Sequence, residues 1–292
     1  MNPWTTKDIP DQGDRTIIIT GASSGIGRIA AIELVRAGAN VIAAVRNIER
    51  AEQALANVTG KIEIKQLDLS SLASIRAFAG EIKNSFHVLI NNAGIMAVPQ
   101  GKTEDGFELQ IGTNHFGHFA LTGLLMGKTT DRIVTVSSIA HRAGTIDFSD
   151  INFERRKYSN TAAYAQSKLA NILFSKELQR RLDNAGLSVR SIAAHPGLCK
   201  SNLHTEWQRN VWMNIADMGH QLIAQSTEHG ALPVLYAATM DIPGGSYIGP
   251  GGVWQIRGYP KIVSPSQASN NIEAAEALWR LSEKLTGVRI IY

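Results

Sequence analysis

The sequence predicts an α/β protein built on a single doubly wound parallel sheet with helices on both faces. Three observations carry this. Short apolar, β-branched runs recur along the chain, amphipathic stretches separate them, and a glycine-rich turn joins the first run to the first amphipathic stretch. Strands buried on both faces read as continuous apolar runs, and right-handed crossovers then distribute the helices over both faces.

Taken in order, residues 16–20 (TIIIT) form the first strand, and residues 25–38 form the first helix behind the glycine turn. Residues 41–45 repeat the apolar strand character, as do 88–90 and 133–136; residues 191–194 are a weaker example. Helical spacing falls at 47–58, 71–84, 104–126 and 162–184. Residues 200–227 carry Trp207, Trp212, Met213, Met218 and Ile223 without a strand pattern. Residues 228–240 read as helix, and 241–260 are rich in Gly and Pro. A closing helix over 271–285 begins at the capping residue Asn271, with Glu273 and Glu276 in its early turns. No linker divides the first 200 residues and there is no internal repeat. Residues 1–292 therefore read as one domain: a 15–200 core, a 200–227 substrate lid, and a 228–292 helix, strand and closing helix.

Composition narrows the function classes. With 44% hydrophobic and 18% charged residues, the chain can bury a large core, so a disordered or fibrous protein is excluded. The net charge is +4, and the Lys and Arg are scattered rather than striped, which argues against a nucleic-acid partner. The nearest cluster, Glu154-Arg155-Arg156-Lys157, fits a solvated loop. The one cysteine, Cys199, cannot form an internal disulfide, and clustered Cys/His spacing for a metal is missing. Neither a signal peptide nor an apolar run of membrane-spanning length is visible. A soluble cytoplasmic protein is expected.

The turn Thr20-Gly21-Ala22-Ser23-Ser24-Gly25-Ile26-Gly27 has the spacing of a phosphate-binding loop. Glycine lets backbone N–H groups approach a ligand, and the helix start beyond presents unpaired donors and a partial positive charge. No Gly-Lys-Ser/Thr ends the loop, so a nucleoside triphosphate site is disfavoured and a dinucleotide site favoured. At the end of the second strand an acidic residue would bind a ribose 2′-OH and select NAD. The sequence instead has Val45-Arg46-Asn47. The guanidinium of Arg46 can pair with a 2′-phosphate, which favours NADP(H) over NAD(H). The bland alternative is that Arg46 points into solvent or caps the turn.

Two further motifs join the loop: Asn91-Asn92-Ala93-Gly94, and the pair Tyr164-x-x-x-Lys168. Together these resemble the short-chain dehydrogenase/reductase family over residues 15–200. The resemblance implies a Rossmann-type parallel sheet of about seven strands and hydride transfer between a nicotinamide and an alcohol or carbonyl. The pair also makes chemical sense alone. Tyr164 and Lys168 lie one turn apart on a helix, and an ammonium beside a phenol is expected to lower its pKa toward neutrality.

The resemblance places further roles. Ser138, with Ser137 as fallback, would hold the substrate oxygen. Asn114 would bend its helix and support a proton relay to Lys168, against the alternative of a local backbone bond. Asp68 and Leu69 would lie at the adenine, Asn92, Ala93 and Gly94 along the adenine-ribose side, and Pro196 and Gly197 by the nicotinamide. Ser201 stands where a threonine usually bonds the cofactor, and Asn91 would brace the sheet. The family often forms homodimers or homotetramers through the helices bearing Asn114 and Tyr164.

The gap from Ser138 to Tyr164 is longer than in compact members, and residues 145–161 read as an insertion. With Ser167-Lys168-Leu169-Ala170-Asn171, Asn114-His115-Phe116-Gly117-His118-Phe119 and His195-Pro196-Gly197, the chain is similar to the retinol dehydrogenase and protochlorophyllide reductase-like branch, bacterial type. An apolar alcohol or carbonyl substrate is expected, met by the lid and its Trp and Met residues; the alternative is that these side chains pack the core or a subunit interface. His115, His118 and His195 read as structural or wall residues, and Cys199 is not needed as a nucleophile. The other function class is a nucleotide-sensing binding protein without turnover, whose expected mark is a broken catalytic set; this set is intact.

Overall fold

The computed structural model describes residues 3–199 and 224–291. Strands β1 (Thr16–Thr20), β2 (Asn40–Val45), β3 (Ile62–Gln66), β4 (Phe86–Asn91), β5 (Thr129–Val136), β6 (Arg190–Ala194), β7 (Tyr247–Pro250) and β8 (Pro260–Ile262) form one sheet in the order β3-β2-β1-β4-β5-β6-β7-β8. The pairings from β3 through β7 are parallel, and β8 returns antiparallel on β7. The expected closing strand is thus two strands, because the Gly/Pro-rich stretch after β7 turns the chain back on itself.

Alternation along each central strand explains why these runs are apolar throughout. Ile17, Ile19, Val88, Ile90, Val134 and Val136 face one layer, which holds α1 (Gly25–Arg36), α2 (Ile48–Leu55) and α7 (Thr227–Thr239). Ile18, Leu89 and Ile133 face the other, with α3 (Leu72–Glu81), α5 (Gly117–Leu125), α6 (Asn160–Asn184) and α8 (Ile272–Thr286). Both faces are buried, so neither side of a strand can be polar. Strand β3 lies at the edge and reads Ile-Glu-Ile-Lys-Gln, with only Ile62 and Ile64 packed inward. Its alternation hides it from a search for continuous apolar runs, and the five-run reading omits it.

The stretch 104–126 is not one regular helix. A short turn, α4 (Leu109–Ile111), leads into a π-helical turn at Gly112–Phe116, where the Gly117 N–H donates to the Gly112 carbonyl, and then into α5. Asn114 sits inside the π turn. Such widened turns re-aim side chains.

The order reverses between β1 and β4, and the crevice outside the carboxyl ends of these strands is where an open α/β sheet places its ligand.

Candidate active site

The crevice floor is two interlocked loops. Gly21 has φ +72°, and a Cβ there would meet Ala93 at 2.9 Å; a Cβ on Gly27 would collide with the Asn92 amide and the Gly21 carbonyl. The Asn92 side chain donates to the Thr20 carbonyl (2.8 Å), and the Asn92 and Ala93 N–H groups both donate to Thr20 Oγ1 (2.9 Å each). The glycine turn and Asn92-Ala93-Gly94 are therefore one unit.

This unit fits a dinucleotide phosphate on two counts. Ser24 is the N-cap residue of α1, yet its side chain makes no capping bond, whereas Asn47, Ser71 and Ser159 cap their helices. The first N–H groups of α1 thus stay available beside Ser23, Ser24, Gly25 and Ile26. Arg46 is exposed and makes no ion pair or hydrogen bond among the described residues, and Asn47, not Arg46, caps α2 by accepting from Arg50 N–H (2.6 Å). Arg28, another cation of the loop helix, is committed elsewhere: its Nε donates to the Ala54 carbonyl (2.8 Å).

On the opposite wall stand Ser138, Tyr164 and Lys168. Tyr164 and Lys168 lie on α6, whose N-terminus is capped by Ser159. Lys168 is buried, and its Nζ donates to the Val136 carbonyl at 3.2 Å. An ammonium has three donors, so two remain for a ligand in the crevice. A Cβ on Gly94 would lie 3.0 Å from Asn114 Oδ1 and 3.3 Å from Lys168 Nζ, so only a glycine lets the cofactor-side loop close against both.

Ser137 and Ser138 separate by role. Ser137 is buried and donates to the Lys168 carbonyl (2.7 Å), which leaves it a tie between β5 and α6. Ser138 is half-buried and works to lower the Tyr164 phenol, which Ser137 does not. Behind it, His141 Nε2 accepts from Ser266 N–H (3.0 Å), so its Nδ1–H donates to the Ser138 carbonyl (2.7 Å). His141 follows Ser138 in the same short turn, and Ser266 carried no sequence signal because it reaches His141 from 125 residues along the chain.

The expected lowering of the tyrosine pKa by lysine is corrected by the structure. Burial pushes the Tyr164 phenol up, and Ser138 works only partly against it. Lys168 Nζ lies 5.7 Å from the centre of the Tyr164 ring rather than on its oxygen, and burial lowers Lys168 itself to about 8. Desolvation sets both directions: Lys168 is buried, and half-buried Tyr164 is largely enclosed by the crevice wall.

Asn114 does not make the local backbone bond offered as its alternative. Its Oδ1 accepts from Ile95 N–H (2.8 Å), and its Nδ2 donates to the Ile95 carbonyl (3.0 Å) and to Ser167 Oγ (2.9 Å). It thus links the loop after Gly94 to α6.

The remaining expected positions fall around this centre. Asp68 Oδ1 accepts from Ser70 N–H and Oγ, and buried Leu69 packs beneath Gly117. The Pro196 carbonyl accepts from Gln225 Nε2 (2.6 Å), and Gly197 turns with φ +71° against Ile256. Asn91 Nδ2 donates to Thr122 Oγ1 (2.9 Å), tying β4 to α5. Ser201 lies outside the described residues, as do Trp207, Trp212, Met213 and Met218 of the expected lid. The 145–161 insertion is fastened rather than open. The Asp150 carboxylate accepts N–H groups of Glu154, Arg155 and Arg156, and Gln166, between Tyr164 and Lys168, donates to the Ile151 carbonyl (2.9 Å). Among the described residues no group of His, Cys, Asp and Glu could hold a metal, and no helix is long and apolar enough to cross a membrane.

Comparison with known proteins agrees with this geometry. The family described as short chain dehydrogenase matches residues 15–212. Human retinol dehydrogenase 13 is 40% identical over 94% of this chain and 85% of its own length, and human retinol dehydrogenase 12 is 38% identical over 94% and 87%. The crystal structure of an uncharacterized protein from Mycobacterium paratuberculosis is 47% identical, covers all of both chains and superposes with a TM-score of 0.88. A Beutenbergia cavernae structure with NADP bound, described as a putative NAD(P)-dependent gluconate 5-dehydrogenase, is 27% identical over 78% of this chain and 90% of its own, with a TM-score of 0.57. With its eight-stranded sheet, its interlocked glycine and Asn-Asn-Ala-Gly loops and these relatives, the chain belongs to the short-chain dehydrogenase/reductase family, as an NAD(P)-dependent oxidoreductase of retinol dehydrogenase type.

Proposed function

We propose that the protein transfers a hydride between NADP(H) and an apolar alcohol or carbonyl compound. The observation that carries this is the convergence of Ser138, Tyr164, Lys168 and Asn114 on the crevice where the glycine loop ends. NADP(H), when bound, supplies or takes up the hydride. Tyr164 moves the proton at the substrate oxygen, and the Ser138 hydroxyl holds that oxygen. Lys168 offers its two unused donors to the bound ligands, and its positive charge works against the burial that raises the Tyr164 phenol. Asn114 fixes the loop and helix between which Lys168 works.

Arg46 is the residue proposed to select NADP, because it is exposed, unpaired and carries the fork geometry a 2′-phosphate accepts. The apolar substrate class is drawn from the retinol dehydrogenase relatives and from the Trp and Met residues of 200–227. A reducing, cytoplasmic setting fits the single cysteine.

The test is NADPH oxidation over a panel of aldehydes, ketones and quinones that includes retinal. Wild type is expected to turn over at least one class, and Tyr164→Phe to lose at least ~10²-fold in kcat while still binding NADPH. Full turnover by Tyr164→Phe overturns the acid/base assignment, and NADPH binding without oxidation of any member points to a sensing protein instead. Arg46→Ala is expected to weaken NADPH binding about tenfold or more and leave NADH unchanged; an unchanged preference removes Arg46 from the cofactor site.

A further inference from the structure

His118 lies one turn beyond Asn114, is 1% exposed, and takes no part in the proton transfer proposed above. Its two ring nitrogens nevertheless touch both halves of the site. Nδ1 is 3.0 Å from the Asn114 carbonyl, and Nε2 is 2.9 Å from Thr20 Oγ1.

The hydrogen-bond roles follow from valence. A carbonyl oxygen only accepts, so Nδ1 carries the proton. A neutral imidazole has one N–H, so Nε2 must accept, and its donor is the Thr20 hydroxyl. That hydroxyl has two lone pairs left, and they receive the N–H groups of Asn92 and Ala93. The Ile90 carbonyl, at 3.4 Å, is the poorer of the two acceptors for the Thr20 proton. Every polar side-chain atom of the His118–Thr20 pair is then satisfied, and reversing the ring or protonating it would leave a buried group opposed. Burial holds His118 at about 4; the Asn114 carbonyl favours the charged ring, and the nearby Lys168 charge disfavours it.

We propose that His118 is a positioning residue that clamps the π turn bearing Asn114 to the Thr20 hydroxyl carrying Asn92 and Ala93, so that the dinucleotide loops and the Lys168 side of the site keep one register. The inference rests on the proposed reaction for its consequence in turnover, and on the apo geometry alone for its consequence in cofactor binding. The π turn is where the clamp matters. The His118 ring folds back one turn onto the Asn114 carbonyl, while the Asn114 side chain brackets Ile95 and reaches Ser167.

Four variants separate the arms. His118→Asn keeps a donor near the Nδ1 position and loses the reach to Thr20. His118→Gln keeps the reach and loses the Asn114 arm. His118→Leu removes both, and Thr20→Val removes the hydroxyl from the other side. In the apo enzyme, nitrogen NMR at pH 7 is expected to show the Nδ1–H tautomer of His118. In fluorescence titrations, His118→Leu is expected to weaken NADPH binding about tenfold. Thr20→Val should weaken it at least as much, because the Asn92 and Ala93 N–H groups lose their acceptor too, and the double variant should add little to Thr20→Val alone. His118→Asn should recover kcat relative to His118→Leu without recovering NADPH affinity, and His118→Gln the reverse. The proposal is overturned by an Nε2–H tautomer, by additive Thr20 and His118 losses, or by losses that follow melting temperature alone with no split between kcat and NADPH affinity. Because tautomer and NADPH affinity are read without turnover, an inactive wild type would count against the proposed reaction and not against the clamp.

Discussion

Lys168 is a cation buried with a single hydrogen bond, and its energetics run against stability. Its folded pKa of about 8 lies below the ordinary 10.5, so the native state binds fewer protons than the unfolded chain between these values. Stability therefore rises with pH across that window, and the full penalty applies below pH 8. Lys168→Met is expected to raise Tm at pH 7 by a few degrees while abolishing turnover. A wild type and variant that melt together at pH 7 would contradict the burial argument. This is the usual relation between a strained site and its function: the group is kept where folding alone would not place it. Tyr164 shows the same tension, with burial raising a pKa that catalysis needs lower. The pair was legible in the sequence from its spacing, but the direction of these shifts was not, because desolvation depends on what packs around the helix.

Among the elements, the strand starts opposite the crevice are tied by one carboxylate. Asp131 on β5 receives hydrogen bonds from Arg15 before β1, from Arg190 on β6 (2.6 Å) and from its neighbour Arg132 (3.0 Å). Arg132 is buried and also donates to the carbonyls of Ala237 (3.1 Å) and Met240 (2.6 Å) at the end of α7. Burial opposes ionisation of Asp131, yet the Arg190, Arg15 and Arg132 bonds win and hold its pKa at about 2. The folded value lies below the unfolded one, so this stabilisation is complete above about pH 4 and is lost as pH falls through 2. Asp131→Asn is expected to cost ~3 kcal/mol at pH 7, because it strands buried Arg132. The gap to wild type in urea midpoints should narrow below about pH 4, and a gap independent of pH would show that the charge is not the cause. The sequence reading of the elements succeeded where patterns were strong. The five apolar runs are strands, and Asn271 caps α8 by accepting from Ala274 N–H (2.9 Å). It missed β3, whose polar alternation reflects an edge position; the helix bend implied at Asn114 by the family resemblance takes the form of a π turn.

At the scale of the whole molecule, α8 covers the helices that bear the site. Trp279 packs edge-on against Phe119 of α5 (5.2 Å between ring centres) and stacks on Phe174 of α6 (5.9 Å), with the Arg181 guanidinium 4.4 Å above its ring. Ala275 and Leu278 join Ile151 of the insertion, Ile111, and Leu169 and Leu173 of α6 in one cluster. Trp279→Ala is expected to cost ~3–5 kcal/mol and lower Tm by roughly 10 °C. A change under 1 kcal/mol in a denaturant titration would show that α8 is not part of the core. The sequence by itself determined the sheet, the phosphate turn and the Tyr164–Lys168 pair, because each depends on local periodicity or on a residue type at fixed spacing. Only the tertiary structure decided that Ser137 is spent on the Lys168 carbonyl, that His118 and Thr20 join the two halves of the crevice, and that α8 and the insertion wrap α5 and α6. Those contacts link residues tens to hundreds of positions apart, and their free energy comes from burial and hydrogen-bond satisfaction that exist only once the sheet has assembled.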